Sequence, residues 1–477
     1  MLMWRVHNMS NYIITQSDID IVNQNVKEIF AKIELLNKDM KVIYYLEGNL
    51  ISDSFSVSTE SNVRRTCSLD LIVNDSTLLV GNNKKIWMDK YIRPYVGIKN
   101  LRTKEIVWYL KGTYTMLDSN YSFDETAKVL SLSCSDLMSE LNGDRNGAII
   151  SKTTIGEGEI LRDVIIDILK EVGVKKYIIS DMDGLTMPYE LEFDVNETYY
   201  GMLSKIVELY SYFEMFFDEN GVFVIQKIPH QDTDNIMLDN SILTKLVIKE
   251  NLDISFKEVY NKIKVWGQSL ESDFSSYDCT YSSNIYSATI DTITSLDNFT
   301  KYSIYIPTKN KADAKLNINN LATLYITDDK GNNLPEGTLD IGYNVFKYRK
   351  TDGNFYWLGQ YQVYAEAEET NTESIFHKNK IGEIVKVCSG DEYDMIYSNS
   401  LAQDRADYEL YHACRLNESI NITLIDIPWL DVNWLIEYKS YITKETKKYI
   451  IKQINGSTSG GTMDINLVAF YDLDPYN

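Results

Sequence analysis

The sequence predicts a mainly β protein with α+β parts: a barrel or sandwich of strands near the start, an α+β middle domain, an inserted all-β module and a β-rich closing region. Three observations carry this. Period-two alternation of apolar and polar residues recurs towards both ends of the chain, broken by turn-forming clusters. Two stretches near the middle switch to a helical period. The chain also holds 35 Tyr, a residue suited to strands and half-buried surfaces, against only 7 Pro. With 477 residues it is too long for one ordinary core, and three or four units are expected.

In chain order, residues 1–41 read as a helical segment. Ile19, Ile21, Val22, Val26, Ile29, Ile33 and Leu36 recur at helical spacing over 16–38, and such a leading helix suits assembly contacts. Residues 42–145 read as a barrel or sandwich, with strands over 42–58, 65–73, 92–98, 106–117 and 129–133. Gly81-Asn82-Asn83 and Asp118-Ser119-Asn120 are the turns between them. Residues 146–250 read as the α+β domain. Its first helix is marked by Leu161, Val164, Ile165, Ile168 and Leu169 with Gly173 as its stop, and its second by Met202, Leu203, Ile206 and Val207. A hairpin follows, turning at Asp218-Glu219-Asn220-Gly221.

Residues 251–298 and 366–477 are read together as a second β-rich domain and closing region. This contains a strand over 252–268, loop and extended chain over 269–298, a helix over 398–416 and four closing strands between Ile420 and Tyr471. Residues 299–365 between these parts read as a β-sandwich-like insert, with glycine turns at Gly331 and Gly353. No repeat of fixed period occurs.

Charge narrows the function. The net charge of −22 argues against gripping nucleic acid, which needs a Lys/Arg surplus, and against docking on anionic membranes. Solubility is the ordinary reading of such a charge, and a channel wall that repels DNA is the sharper one. The five cysteines are odd in number and lack CxxC spacing, so neither disulfides nor structural zinc are expected; the thiols fit assembly in a reducing cytoplasm. Residues 1–14 lack the apolar core of a signal peptide, and no run of 18 apolar residues would span a membrane.

The residue patterns of catalysis are missing. His7, His230, His377 and His412 form no HExxH or paired-His motif, and neither a GxSxG elbow nor a phosphate-binding glycine loop occurs. Gly156-Glu157-Gly158 opens a helix but lacks the third glycine and the lysine. Asp181-Met182-Asp183-Gly184, with Glu192 at the twelfth place, resembles a calcium loop, yet Leu185 and Thr186 stand where a ligand and the glycine belong. The acidic pairs Glu368-Glu369 and Asp391-Glu392 read as solvated surface, although a glycosidase would need two carboxylates in one cleft. No catalytic, cofactor-binding or metal-binding residue is assigned.

Four segments, in this order, resemble the baseplate hub proteins of phage tails. The first runs through Arg65–Leu71, Ile86–Ile98, Ile106–Tyr114 and Leu130–Met138, similar to a hub's opening barrel with its W-x-G-x-(Y/F) strand; here Tyr109-Leu110-Lys111 separate Trp108 from Gly112, so the likeness is one of pattern. The second is the helix at 159–173 with Asn196–Leu203 and the hairpin Phe216–Phe223. The third is Val259–Gly267, similar to the strand opening a hub's second barrel. The fourth is Ser398–Leu410 followed by Ile427–Asn433.

The resemblance implies two hub-type barrels per chain, the first over 42–145 and the second over 251–298 and 366–477 with the closing region, and a homotrimeric ring with a central channel. It further implies a place in the virion tail after assembly in the host cytoplasm. The implied partners are a tail tube or distal tail protein on one side and a spike, tip or tape-measure protein on the other. It implies a structural, non-enzymatic role in host cell entry, without stable nucleic-acid binding and without a cofactor. The insert, through Ala314–Leu321 and Gly353–Gly359, is similar to small modules of tail fibres. Phe355, Tyr356 and Trp357 are its candidates for glycan or partner contact, with packing inside the module as the plainer reading. The alternative for the whole chain is a tail-associated protein that binds or degrades cell-wall glycan. A separate lytic domain after the hub is not expected, since the sequence stops at Asn477 soon after a strand, and the insert is small for an enzyme.

Overall fold

The computed structural model describes residues 14–46, 48–180, 182–210, 213–227, 238, 240–270, 276–360, 362–390, 393–458 and 461–469. The chain forms two compact units: one built from the residues up to Ile254 together with those from Glu418 onward, the other from Ser255–Asn417. The mainly β reading with α+β parts holds.

The first unit opens with α1 (Gln16–Asn23), started by a capping box in which Thr15 and Asp18 satisfy each other's backbone amides. The expected helix over 16–38 is corrected here. The chain is extended by Gln24, and Ile29–Leu36 is strand β1. The apolar run there fits either period, and an eight-residue ladder to β5 decides the matter. The strands β2 (Val42–Leu46), β3 (Leu50–Ser58), β4 (Arg65–Ile72), β5 (Tyr91–Lys99), β6 (Ile106–Leu110), β7 (Tyr114–Phe123) and β8 (Lys128–Asp136) follow. In β4 and β8, Cys67, Leu69, Leu71, Leu130, Leu132 and Cys134 alternate into one core with Ile33, Leu35 and Tyr114.

The α+β part comprises β9 (Thr153–Ile155), α2 (Leu161–Glu171), β10 (Tyr177–Ile179), β11 (Leu191–Phe193), α3 (Tyr199–Glu208), β12 (Phe213–Phe217) and β13 (Phe223–Lys227). Gly173 follows α2 at φ 81°, the left-handed stop its sequence predicts. Strand β10 lies parallel to β13, which forms the expected hairpin with β12. Helix α4 (Asn240–Leu246) leads into β14 (Val247–Ser255).

The second unit begins with β15 (Lys262–Ser269). The chain then leaves to build a closed barrel from β16 (Ser276–Ser282), β17 (Ile285–Ala288), β18 (Lys301–Ile306), β19 (Lys315–Ile318), β20 (Ala322–Thr327), β21 (Gly342–Arg349) and β22 (Asn354–Gly359). The insert is therefore a barrel that begins at Ser276, ahead of the expected 299. Residues 276–288, expected as loop and extended chain outside the insert, alternate: Tyr277, Cys279, Tyr281, Tyr286 and Ala288 pack into the barrel core while Ser, Thr and Asp face outward. Polar composition hid a period-two pattern. After the barrel, β23 (Gln362–Glu368) returns antiparallel to β15. Helix α5 (Lys378–Ile381), strand β24 (Val385–Cys388) and helix α6 (Asn399–Ala413) complete this unit, with β24 parallel to β15.

The closing strands β25 (Asn417–Ile425), β26 (Leu435–Lys439), β27 (Thr446–Gly456) and β28 (Thr462–Ala469) were expected with the second barrel. They belong to the first unit instead, where β27 pairs with β3, Ile454 opposite Val57. One thirteen-stranded sheet results, in the order β14-β25-β28-β27-β3-β4-β8-β7-β5-β1-β2, with β26 on β27 and β6 on β5. Phe55, Val57, Val96 and Ile98 share its core with Ile420, Trp429, Tyr449, Ile451 and Ile465. Burial of these chains across sequence-distant strands drives a pairing that local pattern cannot show.

Candidate functional site

The densest chemistry of the first unit is a buried ionic seam where the β12–β13 hairpin meets the large sheet. Arg64, just before β4, and Arg65, at its start, have side chains only 6% and 5% exposed. Arg64 pairs with Glu214 on β12, its guanidinium 3.6 Å from the centre of the Phe216 ring. Asn433 donates to both oxygens of Glu214, at 2.9 and 2.7 Å. Arg65 pairs with Asp431 at 2.5 Å and reaches Glu219 at 3.9 Å, while its amide donates to Asp136 at 2.8 Å. On β5, Arg93 donates to Thr113 and to the carbonyl of Asn220, each at 2.9 Å, and Thr113 donates to the carbonyl of Glu219. The hairpin turn is thus held by main-chain and side-chain bonds together. Gly221 sits there at φ 76°, where a Cβ would lie 3.1 Å from Leu137 and 3.3 Å from Thr113, so only glycine fits without strain.

Burial sets the electrostatics. It opposes the charge on Arg65, but Asp431 and Glu219 outweigh it and hold the guanidinium firmly protonated. Burial raises Glu219, and repulsion from Asp431 adds to that. Burial also pushes the Asp136 carboxyl up to about 6 against the backbone amides it accepts from Met138 and Arg65. A second pair of cations lies in the same unit. Lys111 donates to the carbonyl of Pro428 at 2.7 Å, and Lys27 to that of Asp426 at 3.0 Å. Burial lowers both ammonium groups and raises the enclosed Asp426 carboxyl. Such pairs gain little net stability over apolar packing, yet losing one partner strands a buried charge.

These residues come from segments that the sequence had set apart: Arg65, the 106–114 strand, Asp136, the 216–223 hairpin and the 427–433 loop. Their convergence in one seam was not legible beforehand. Glu214 and Arg64 stand 150 positions apart, Arg65 and Asp431 366 apart, and no local spacing links them.

In the second unit a smaller clamp holds the barrel. Asp329, in the turn after β20, accepts from Ser398 at 2.9 Å and also from Ser400, at the N-terminus of α6, where a carboxylate suits the helix dipole. Lys330 pairs with Asp404 at 2.6 Å. The candidate stacking residues sit next to it. Phe355 is fully buried in the barrel core and Tyr356 is 2% exposed, donating its hydroxyl to Asp352, so neither offers a ring face to a sugar. Trp357 is half-buried and donates to Asn344 at 2.9 Å.

The other motifs resolve as structure. His377 caps α5, accepting from Asn379 at 3.2 Å, and His412 packs against Tyr408 and Tyr411. In the calcium-like stretch, Asp183 pairs with Arg162 and Glu192 with Lys152 on the surface. Glu368 pairs with Lys378. His7, His230, Asp181, Asp391 and Glu392 lie outside the described residues. Among the described residues no group of three His, Cys, Asp or Glu side chains is placed to hold a metal ion, and no helix is long and apolar enough to cross a membrane.

Residues 373–474 match a family model described as "Domain of unknown function (DUF5048)". No curated protein matches the sequence. Solved structures do match over nearly the whole chain. The 43 kDa tail protein of prophage MuSo2 from Shewanella oneidensis aligns with 93% of this chain and 98% of its own, at 11% identity and a TM-score of 0.50. A tail protein from Neisseria meningitidis MC58 aligns with 92% and 96%, at 8% identity and a TM-score of 0.51. The chain therefore has the fold of these phage-type tail proteins.

Proposed function

We propose that this protein is a structural hub of a phage or phage-like tail, and that its copies form a trimeric ring joining the tail tube to the tip around a central channel. The observation that carries this is the end-to-end fold likeness to two tail proteins, one of them from a prophage, which leaves few residues over on either side. The seam supports the same reading. It uses buried charges to fix a hairpin to a sheet, as suits a part whose work is shape. The net charge of −22 suits a channel wall that DNA slides past. The partners on this reading are further copies of the chain, a tail tube or distal tail protein, and a spike, tip or tape-measure protein. Its place is the virion tail, after assembly in the host cytoplasm, and its role is non-enzymatic.

The test is the mass of the purified chain by light scattering. A mass near three times 55.1 kDa is expected. A single-chain mass at every concentration, both alone and with the tube-side protein of the same tail, would sink the ring.

A further inference from the structure

The register of the large sheet brings together two groups that the ionic seam does not use. Strands β4 and β8 pair in unbroken antiparallel register from Thr66 opposite Ser135 to Ile72 opposite Val129, and Cys67 lies directly opposite Cys134. Both side chains enter the core shared by Leu69, Leu71, Leu130 and Leu132, and each is 4% exposed. The row continues outward with Phe55 of β3 beside Cys67 and Met116 of β7 beside Cys134, so the reactive neighbour of each thiol along the row is the other thiol. Elsewhere, Cys279 faces Ala288, Cys388 faces Val265, and Cys414 follows helix α6. An odd count without CxxC spacing hid the pair, because the two positions meet only through the sheet.

The ladder fixes how close the pair stands. The amide of Val73 donates to the carbonyl of Lys128 at 2.8 Å, which marks those opposed residues as a pair that exchanges hydrogen bonds. The two kinds of pair alternate along an antiparallel ladder, and Cys67 lies an even number of residues from Val73, so Cys67 and Cys134 form a pair of the same kind. Their Cα atoms then stand about 5.5 Å apart, inside the span of roughly 4.4–6.8 Å that a disulfide bridges. Opposed Cβ atoms stand about 4.5–5.5 Å apart, whereas a disulfide wants about 3.5–4.5 Å. A bond here draws the strands together, and the strain makes it easy to reduce again.

We infer that Cys67 and Cys134 form a reversible disulfide that locks β4 to β8 once the chain has left a reducing compartment. The timing rests on the tail reading, in which the particle passes from cytoplasm to oxidising surroundings. The oxidant is a peroxide, small and uncharged enough for a closed core. One sulfur attacks a peroxide oxygen: an S–O bond forms, the O–O bond breaks, and the leaving hydroxide takes the thiol's proton as water. The facing thiol attacks that sulfur: the S–S bond forms, the S–O bond breaks, and a second water leaves. The two thiols give up two electrons and the peroxide takes them. Burial raises both thiols and keeps them protonated, so the reduced pair is slow to react during assembly. The bond would sit beside the ionic seam, since Arg65, whose amide donates to Asp136, stands two residues before Cys67, and Asp136 stands two after Cys134. It would hold that end of both strands in register when the seam's charges are lost.

The experiment divides the folded full chain between dithiothreitol and one molar equivalent of hydrogen peroxide, well below its melt. Each sample is then denatured, alkylated and digested. A linked peptide containing Cys67 and Cys134 is expected after peroxide alone, with a melt about 5 °C above that of the reduced chain. Dithiothreitol should reverse both. Cys67→Ser and Cys134→Ser should each abolish the shift, and Cys67→Ala and Cys134→Ala, which add no polar atom to the core, provide a second pair of variants. The linked peptide is read on the parent chain and does not depend on how the variants fold. Both cysteines alkylated after peroxide, either one oxidised to a sulfinic acid without a link, or either one linked elsewhere overturns the pair. A linked peptide without a rise in melt overturns the lock. Light scattering of the same samples reads the ring separately: a single-chain mass with the linked peptide present overturns the ring and leaves the disulfide, and a three-chain mass without it does the reverse.

Discussion

The two units fasten an accessory element in opposite ways. In the first, the β12–β13 hairpin is held by guanidinium–carboxylate pairs with their arginines almost wholly out of water. In the second, the barrel turn at Asp329 is held by hydroxyl donors and a surface ion pair at a helix N-terminus. The difference lies in what failure does. A buried arginine without its carboxylate has no water to turn to, whereas Asp329 and Lys330 do. The first fastening is all-or-none, and the second can loosen locally.

The largest effect should follow from Glu214→Ala, which leaves Arg64 buried with only the Phe216 ring for company. A loss of about 3–5 kcal/mol is expected in urea unfolding followed by tryptophan fluorescence. A loss below about 1 kcal/mol would make the seam equivalent to the surface clamp and erase the contrast.

Next comes pH. Asp136, pushed up to about 6 in the folded chain against an ordinary 3.8, keeps its proton where the unfolded chain has lost it. Its contribution to stability is therefore whole below the ordinary carboxylate range and is lost as pH rises through about 6. Relative to Asp136→Asn, the parent should lose about 3 kcal/mol between pH 3.5 and pH 7. A difference independent of pH would show that the carboxyl titrates alike in the folded and the unfolded chain.

Asp329→Ala should cost about 1–2 kcal/mol and leave the first unit's unfolding unchanged. Lys330→Gln, with its partner in water, should cost about 0.3 kcal/mol, less at high salt. If these two match the seam in size, the barrel is welded as the hairpin is.

How much of this the sequence foretold depends on the range of the interaction. The amphipathic helices at Leu161–Glu171 and Tyr199–Glu208, the Gly221 hairpin and the Ser398-capped helix were legible because neighbours four or fewer residues apart decide them. Ile29–Leu36 misread as helix because its apolar run satisfies two periods and only a distant partner, β5, selects one. The pairing of β27 with β3 spans some four hundred residues and left no local trace. The seam was half legible: Asp431 and the 218–221 turn stood in segments worth noticing, but their partners were set by topology. For the Phe355–Trp357 aromatics, packing inside the module was the plainer reading, and Phe355 lies in the barrel core; composition alone does not say which way a barrel strand points.

The barrel's place in the chain has a consequence for descent. Ser269 at the end of β15 lies directly opposite Gln362 at the start of β23, so the chain leaves and re-enters the three-stranded sheet at a single point. Seen from the sheet, some ninety residues are an overgrown hairpin loop. Such a loop can be exchanged for a short turn, or for another module, without re-registering a strand of the base. The base and its cargo are then separable under selection: one can stay fixed to its neighbours while the other is replaced.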